Sequence, residues 1–222
     1  MANNHAADYE PVQFQRTVDY VRSLGYQTIG IWPDAVTVIQ LGARRIGLVP
    51  RTYGMNRGWS APCDAPRRVI RTDILGKDFT STKVTLKLDY LVGYSHWHFE
   101  FKHFPRRPFV ALAEQLGRAG MDMNVGGHPH VLGPLAAAGN GLLHCSLGNF
   151  VGLHPGWAMR LGGIMRVFLD TDAGSLSPGV DMIPTFLTRG GGGALVTSID
   201  QLPSELGERC TRRLGRLYPT PR

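Results

Sequence analysis

Long apolar runs are absent from these 222 residues. No stretch approaches the roughly 20 consecutive apolar residues that a helix needs to cross a bilayer, so a helical membrane span within the sequence is excluded. Residues 1–10 are polar and acid-containing, without the apolar block of a secretory signal, and the compartment stays open on this reading. Cysteine is scarce as well. Cys63, Cys145 and Cys210 are odd in number and far apart, without the short paired spacing of zinc ribbons or disulfide scaffolds, so they read as ordinary thiols. Concentrated charge is nearly missing: the formal net charge is +7, yet most Arg and Lys stand singly between apolar residues, and only the C-terminal end is clustered. With no recognition motif and no basic stripe interleaved with aromatics, nucleic acid is not an expected partner.

What is present suffices for one core. Apolar residues make up 43% of the chain, and Gly and Pro are spread over many positions, which points to a single domain over residues 1–222. Phe14, Val18, Val21 and Leu24 recur at helical spacing and Gly25 follows as a left-handed cap, which predicts a helix over 12–24. Residues 28–32, 37–40 and 46–49 are short and β-branched, the last two separated by a turn over 42–45 as in a hairpin. Residues 51–81 form a long Gly/Pro/Arg/Asp-rich connection of the kind that carries function. Val84, Leu86 and Leu88 alternate with polar residues and predict a strand running to Tyr94, with a histidine cluster at its C-terminal end. A second helical stripe, Phe109, Leu112, Ala113 and Leu116, ends near 117–120. Strands follow at 121–125 and 142–145, then an antiparallel pair, 163–170 and 179–187, around a turn at 172–174. Strands alternating with helices make this an α/β sandwich with mixed strand pairing.

Three polar constellations fall at predicted strand ends or turns, where α/β sites are built. They are Asn3-Asn4-His5 with Asp8, then His96-Trp97-His98 with Glu100, then His128-Pro129-His130. In an extended segment residues two apart share a side, so His128 and His130 are expected to aim both imidazoles at one point. Imidazole, amide oxygen and carboxylate together suit Zn, Mn or Fe. Each element alone has a plainer reading: a surface turn for His128-Pro129-His130, a core histidine for His96, a loose terminus for Asn3-Asn4-His5, a helix cap for Asp8. Their joint occurrence favours a site.

The same residues carry a resemblance. Asn3-Asn4-His5 with Asp8 is similar to the Asn-Asn-His-x-x-Asp segment of CapA-like proteins of poly-gamma-glutamate capsule synthesis. Asp89 followed by His96-Trp97 and Glu100 resembles that family's Asp-strand-His-Trp-Gly-x-Glu segment. Gly126 to Val131 resembles its Gly-His-His-Pro-His-Val turn, and Ser146 to Val151 matches its Ser-Leu-Gly-Asn-Phe-Val signature. The resemblance covers roughly residues 2–152 in unbroken motif order. It implies a metallophosphatase-like α/β/β/α sandwich and, by motif, Asn4, His96, His128 and His130 as ligands of divalent metal. It further implies His5 as the general acid beside the metals, and Asp8 and Glu100 as partners that orient imidazoles. Ser146 and Asn149 are expected to shape a turn near the site.

Departures accompany the matches. His98 stands where the family has Gly and is expected to lie close to the pocket as a possible extra ligand, while Gly127 and Glu10 replace a family His and Gly. The family's first strand, ending in a Gly-Asp ligand, is expected before Asn3, so the sandwich is read here as lacking its first strand. Residues 203–217 place Leu206, Cys210, Leu214 and Leu217 on one helical face and Arg209, Arg212, Arg213 and Arg216 on another, a basic amphipathic helix. The expected partners are an anionic polymer or phosphoester substrate and other capsule-synthesis proteins. Two functions follow as alternatives: a metal-dependent hydrolase, or a non-catalytic accessory protein that binds polymer.

Overall fold

The computed structural model describes residues 1–31, 36–56, 78–152, 154–169, 179–190 and 193–218. Helix α1 (Pro11–Ser23) begins at a proline, which is tolerated there because its missing N–H would be unpaired anyway. It buries Phe14 and Val18, and Gly25 follows at φ +84°. Leu24, expected to close the apolar stripe, is exposed instead. The strand expected over 28–32 does not form in its described part: Gly30 adopts φ +79°, which interrupts the extended run, and Ile31 makes only a single bridge.

Strands β1 (Thr37–Leu41) and β2 (Arg44–Thr52) form the expected hairpin with a tighter turn, Leu41 pairing directly with Arg44. Arg44 and Arg45 join the strand because one carboxylate holds both. Asp89 accepts from Arg44 Nη1 at 3.0 Å and from the Arg45 amide at 2.7 Å. Of the long connection, residues 57–77, including Cys63, lie outside the described residues.

The strand predicted from Val84 is a correction. Residues Phe79–Leu86 form helix α2, capped by the Asp78 carboxylate on the Thr80 amide (2.9 Å) and ended by Lys87 in the left-handed region. Val84 is exposed and the anchoring apolar residue is Phe79, so the Val84/Leu86/Leu88 alternation did not mark a strand. Strand β3 starts only at Tyr90 (Tyr90–His96). Helix α3 (Arg107–Arg118) buries the expected stripe of Phe109, Leu112, Ala113 and Leu116. Strands β4 (Met123–Gly127), β5 (Leu135–Ala138) and β6 (Gly141–His144) follow, then the one-turn helix α4 (Trp157–Arg160). The expected antiparallel pair is β7 (Leu161–Phe168) with β8 (Gly179–Gly190); its turn at 172–174 lies outside the described residues. Strand β9 (Gly193–Ser198) and helix α5 (Ser204–Leu217) complete the fold.

The first sheet has the order β1-β2-β3-β4-β6-β5, parallel through β2, β3, β4 and β6 and antiparallel at both edges; the second is β7-β8-β9. Side-chain alternation divides the interior into layers. On β3, Leu91 points to a core with Phe79, Phe109, Leu112 and Leu116 under α2 and α3. Its neighbours Tyr90 and Val92 point the other way, into a core with Met123, Val125, Met165 and Val180 between the two sheets. Leu161 and Phe186 then meet Cys210 and Leu217 of α5. The order is α/β/β/α, the sandwich that the resemblance implies.

The pairing Thr52↔His96 and His96↔Gly127 sets the carboxyl ends of β2, β3 and β4 level, one rim on which loops can build a site.

Candidate metal centre

His96 is the last residue of β3, and His128 and His130 follow β4 directly, so parallel pairing delivers them to one place. The His96 and His128 rings are 4.8 Å apart between centroids, and those of His128 and His130 are 6.2 Å apart. Glu100 Oε1 lies 3.9 Å from His130 Nε2, and Glu100, His128 and His130 each offer a ligand atom within 4.8 Å of the others. From the N-terminal segment, Asn4 Oδ1 meets His96 Nε2 at 2.7 Å. Asn4 is itself held by Asn56, which accepts from Asn4 Nδ2 at 3.0 Å and donates its amide to the Asn4 carbonyl at 2.8 Å. His5 Nδ1 sits 2.5 Å from Asp8 Oδ2, its ring largely exposed, so Asp8 orients His5 and does not cap α1, whose cap position is Glu10.

The backbone reaches this arrangement differently from the extended segment expected. His128 has φ +92° and His130 φ +59°, so the imidazoles converge through a tight turn. Among the described residues, the five non-glycine residues at positive φ are Lys87, which ends α2, and His98, Phe101, His128 and His130, all at this rim. Such conformations cost on the order of 1–3 kcal/mol each and persist only where the surroundings hold them. Here they are held by hydrogen bonds between the loops: the Trp97 amide to Gly127 O at 3.1 Å, and the Phe101 amide to Pro129 O at 2.8 Å. Gly126 must be glycine, because a Cβ would lie 1.9 Å from the Cys145 carbonyl oxygen.

His98 is a correction. The chain turns at its φ of +73°, so it no longer shares a face with His96. Its ring is buried edge-on to Phe99 and Phe109, and Nε2 accepts the Arg106 amide at 3.0 Å. That nitrogen's lone pair is spent inside the protein, and burial lowers the pKa, offset in part by a hydrogen bond to the Phe99 backbone.

Sequence reasoning missed three contributors and understated a fourth. Asn149 does more than shape its turn: Oδ1 accepts from His130 Nδ1 at 2.8 Å, while Nδ2 donates to Met159 O at 2.9 Å and His130 O at 3.3 Å. His154 lies 4.9 Å from His130 between ring centroids, and its His-Pro dipeptide, repeating His128-Pro129, was the available signal. Asn56 had none. Arg51 had none either: it is 2% exposed beneath the rim, donating to Ser95 Oγ and Asn124 Oδ1 at 2.8 Å each and so tying β2, β3 and β4 together. Burial lowers its pKa to about 10.

Electrostatics favour ligation. Burial, then the neighbouring His128, His130 and His5, lowers the His96 pKa to about 4, and burial lowers that of His128 as well. Both rings are therefore neutral at neutral pH, the form that donates a lone pair. His128 Nδ1 is buried with no hydrogen-bond partner, an orphan of the kind that calls for an explanation. Clustered imidazoles, a carboxylate and an amide oxygen fit a divalent cation of the zinc, manganese or iron class. A cleft of about 390 Å³ opens beside them, lined in part by Asn4, His5, Tyr94, His96 and His130.

Residues 1–153 match the family described as bacterial capsule synthesis protein PGA_cap. The capsule biosynthesis protein CapA of Bacillus anthracis is 25% identical over 209 residues, 90% of this chain and 50% of that protein. The PGA biosynthesis protein CapA of Bacillus subtilis (strain 168) is 33% identical over 174 residues, 70% of this chain and 42% of that protein. The chain thus spans about half the length of the curated relatives it matches. Solved structures with similarity include the sulfate thiohydrolase SoxB of Thermus thermophilus in complex with glycerol (TM-score 0.43, 17% identity, 82% of this chain, 28% of that one). A putative 5'-nucleotidase of Staphylococcus aureus in complex with alpha-ketoglutarate is another (TM-score 0.42, 14% identity, 81% and 34%). With its motifs in family order and the match covering most of its length, the chain belongs to the bacterial capsule synthesis protein family PGA_cap.

Proposed function

We propose that this chain is a metal-dependent hydrolase acting on a phosphoester or on a bond of an anionic capsule polymer. The observation that carries the reading is the convergence of His96, His128 and His130 with Glu100, with His128 Nδ1 buried and unpartnered. His96, His128 and His130 would hold the cation, with Asn4 as the oxygen ligand. Glu100, placed by its motif as an orienting partner, is near enough to His130 to serve as a ligand itself. When bound, a zinc, manganese or iron ion acidifies water and steadies negative charge on the reacting centre.

The remaining work falls to side chains. Asp8 holds the His5 ring through Nδ1, which leaves Nε2 free to hand a proton to the departing oxygen as water oxygen replaces it on the reacting atom. Asn149 and Asn56 fix His130 and Asn4 so that neither has to be ordered during turnover.

Elemental analysis after zinc loading, together with hydrolysis of p-nitrophenyl phosphate, tests the assignment. The native chain is expected to retain zinc, His96→Ala and His128→Ala to lose it, and His5→Gln to keep zinc while turnover falls about 10²–10⁴-fold. Full zinc retention in both alanine variants overturns the ligand assignment. A zinc-loaded native chain that hydrolyses neither the phosphoester nor a capsule polymer overturns the catalytic reading.

A further inference from the structure

Helix α5 turns its apolar face inward: Cys210 and Leu217 are buried, and Leu206 and Leu214 pack against the same core. Its other face carries Arg209, Arg212, Arg213 and Arg216, at i, i+3, i+4 and i+7, which is one stripe of a helix. These arginines and Trp157 of α4 line a groove of about 280 Å³. The Arg209 guanidinium lies 4.0 Å from the Trp157 ring centroid and that of Arg213 5.7 Å. Stacking fixes the guanidinium planes while leaving their N–H edges free to donate. Only Arg212 has a carboxylate partner among the described residues, Glu208 at 3.4 Å; Arg209, Arg213 and Arg216 have none.

We propose that this groove is a docking site for a flexible polycarboxylate chain, separate from the metal centre. Three features select that occupant. Forked guanidinium donors match carboxylate oxygens in pairs, and the stripe runs roughly 10 Å along the helix. In an extended peptide-like polymer, same-side groups recur about every 7 Å, so the stripe meets two of them. A membrane surface is disfavoured because the apolar face of α5 is consumed by the core and nothing remains to insert. Nucleic acid is disfavoured because Trp157, the one aromatic ring among the described residues that line the groove, is covered by guanidinium and is not free to stack on bases.

The groove also has a neighbour. Trp157 opens α4 and Arg160 closes it, and Arg160 lines a second cavity of about 340 Å³ with His154, which contacts His130. One helical turn therefore separates the arginine groove from a cavity bordering the proposed centre, so a chain docked on α5 is held close to it. The docking itself does not depend on turnover there.

The test is fluorescence anisotropy of labelled poly-L-glutamate titrated with the 222-residue chain at low salt, with EDTA present to silence metal chelation. The native chain is expected to bind, with affinity falling as salt rises. Arg209→Gln/Arg213→Gln/Arg216→Gln should weaken binding about tenfold or more. Glutamine is nearly as good a helix former as arginine, so circular dichroism should be unchanged. His128→Ala should bind as the native chain does, which separates this site from the metal centre. Equal binding by the triple glutamine variant overturns the proposal, as does tighter binding of a single-stranded oligonucleotide or of anionic phospholipid vesicles than of polyglutamate.

Discussion

Replacing Asn149 by alanine deletes three hydrogen bonds at once: the one from His130 Nδ1 at 2.8 Å and those to Met159 O and His130 O at 2.9 and 3.3 Å. The two backbone acceptors lose a partner in a partly buried place, which costs about 1–3 kcal/mol in stability. For a chain of this length that is a fall of roughly 2–12 °C in Tm. The third bond matters differently. With Nδ1 engaged by Asn149, the proton sits on that nitrogen and Nε2 faces Glu100; without it, the ring is free to rotate and to switch tautomer. Losing such an orienting partner lowers metal affinity about 10–100-fold. Competition with a chromophoric chelator reads the zinc affinity, and a thermal melt of the metal-free protein reads stability on the same samples. Asn149→Asp keeps an acceptor on His130 Nδ1 while altering the backbone donor, so it should lose stability and retain zinc affinity. If Asn149→Ala melts lower yet binds zinc as tightly as the native chain, Asn149 serves only its turn and the argument fails.

His98→Ala should leave zinc affinity unchanged and cost about 2–3 kcal/mol, since the ring packs on Phe99 and Phe109 and accepts the Arg106 amide; a change in zinc affinity without loss of stability would restore it to the pocket. His144 is fully buried, with Nε2 on the Tyr218 hydroxyl at 2.8 Å and Nδ1 unpartnered, and burial lowers its pKa to about 4. Above about pH 6.5 it is neutral folded or unfolded and contributes nothing to pH dependence. As pH falls from there towards 4 the unfolded chain takes the proton first, so about 3 kcal/mol of stability is lost across that window. Urea titrations at pH 7 and pH 4 should show this slope reduced by that amount in His144→Gln relative to the native chain, and parallel slopes would refute it.

Much of the fold was legible because periodicity reports burial directly. The α1 and α3 stripes, the β1–β2 hairpin and the β7–β8 pair each bury one face and so leave a pattern. Where a segment is short, the period is ambiguous: α2 spans eight residues, and a cap at Asp78 and a left-handed Lys87 decided it. Strand β5, Leu-Ala-Ala-Ala, has no alternation at all and exists because β6 offers it a ladder. The rim followed the same division. The convergence of His96, His128 and His130 was readable because strand ends collect loops, whereas the placing of His98 on the face of His96 failed because a rule for extended chain was applied past the point where the strand stops. Contacts distant in sequence, Asn56 with Asn4 at a separation of 52 residues and Arg51 with Asn124 at 73, leave no local trace.

Backbone strain gathers at one rim of the fold: among the described residues, four of the five left-handed non-glycine residues lie there. Three apolar layers lock the sheets from Leu91 to Phe186 and reach the rim at Trp97 and Cys145. Four left-handed non-glycine residues, the orphan His128 Nδ1 and the unsatisfied Asn124 Nδ2 lie at or just beneath the carboxyl ends of β2, β3 and β4. Glycine would relieve the positive φ at positions 98, 101, 128 and 130. For the last two that substitution would also remove the imidazoles, so the strain has a use: it turns the loop tightly enough for two nearby histidines to face Glu100. At His98 and Phe101 the strain serves support, since His98 anchors the Arg106 amide and the Phe101 amide holds the Pro129 carbonyl between those histidines. Binding of a cation by Glu100, His128 and His130 would offset part of that strain, so metal loading should stabilise this rim more than any other part of the molecule.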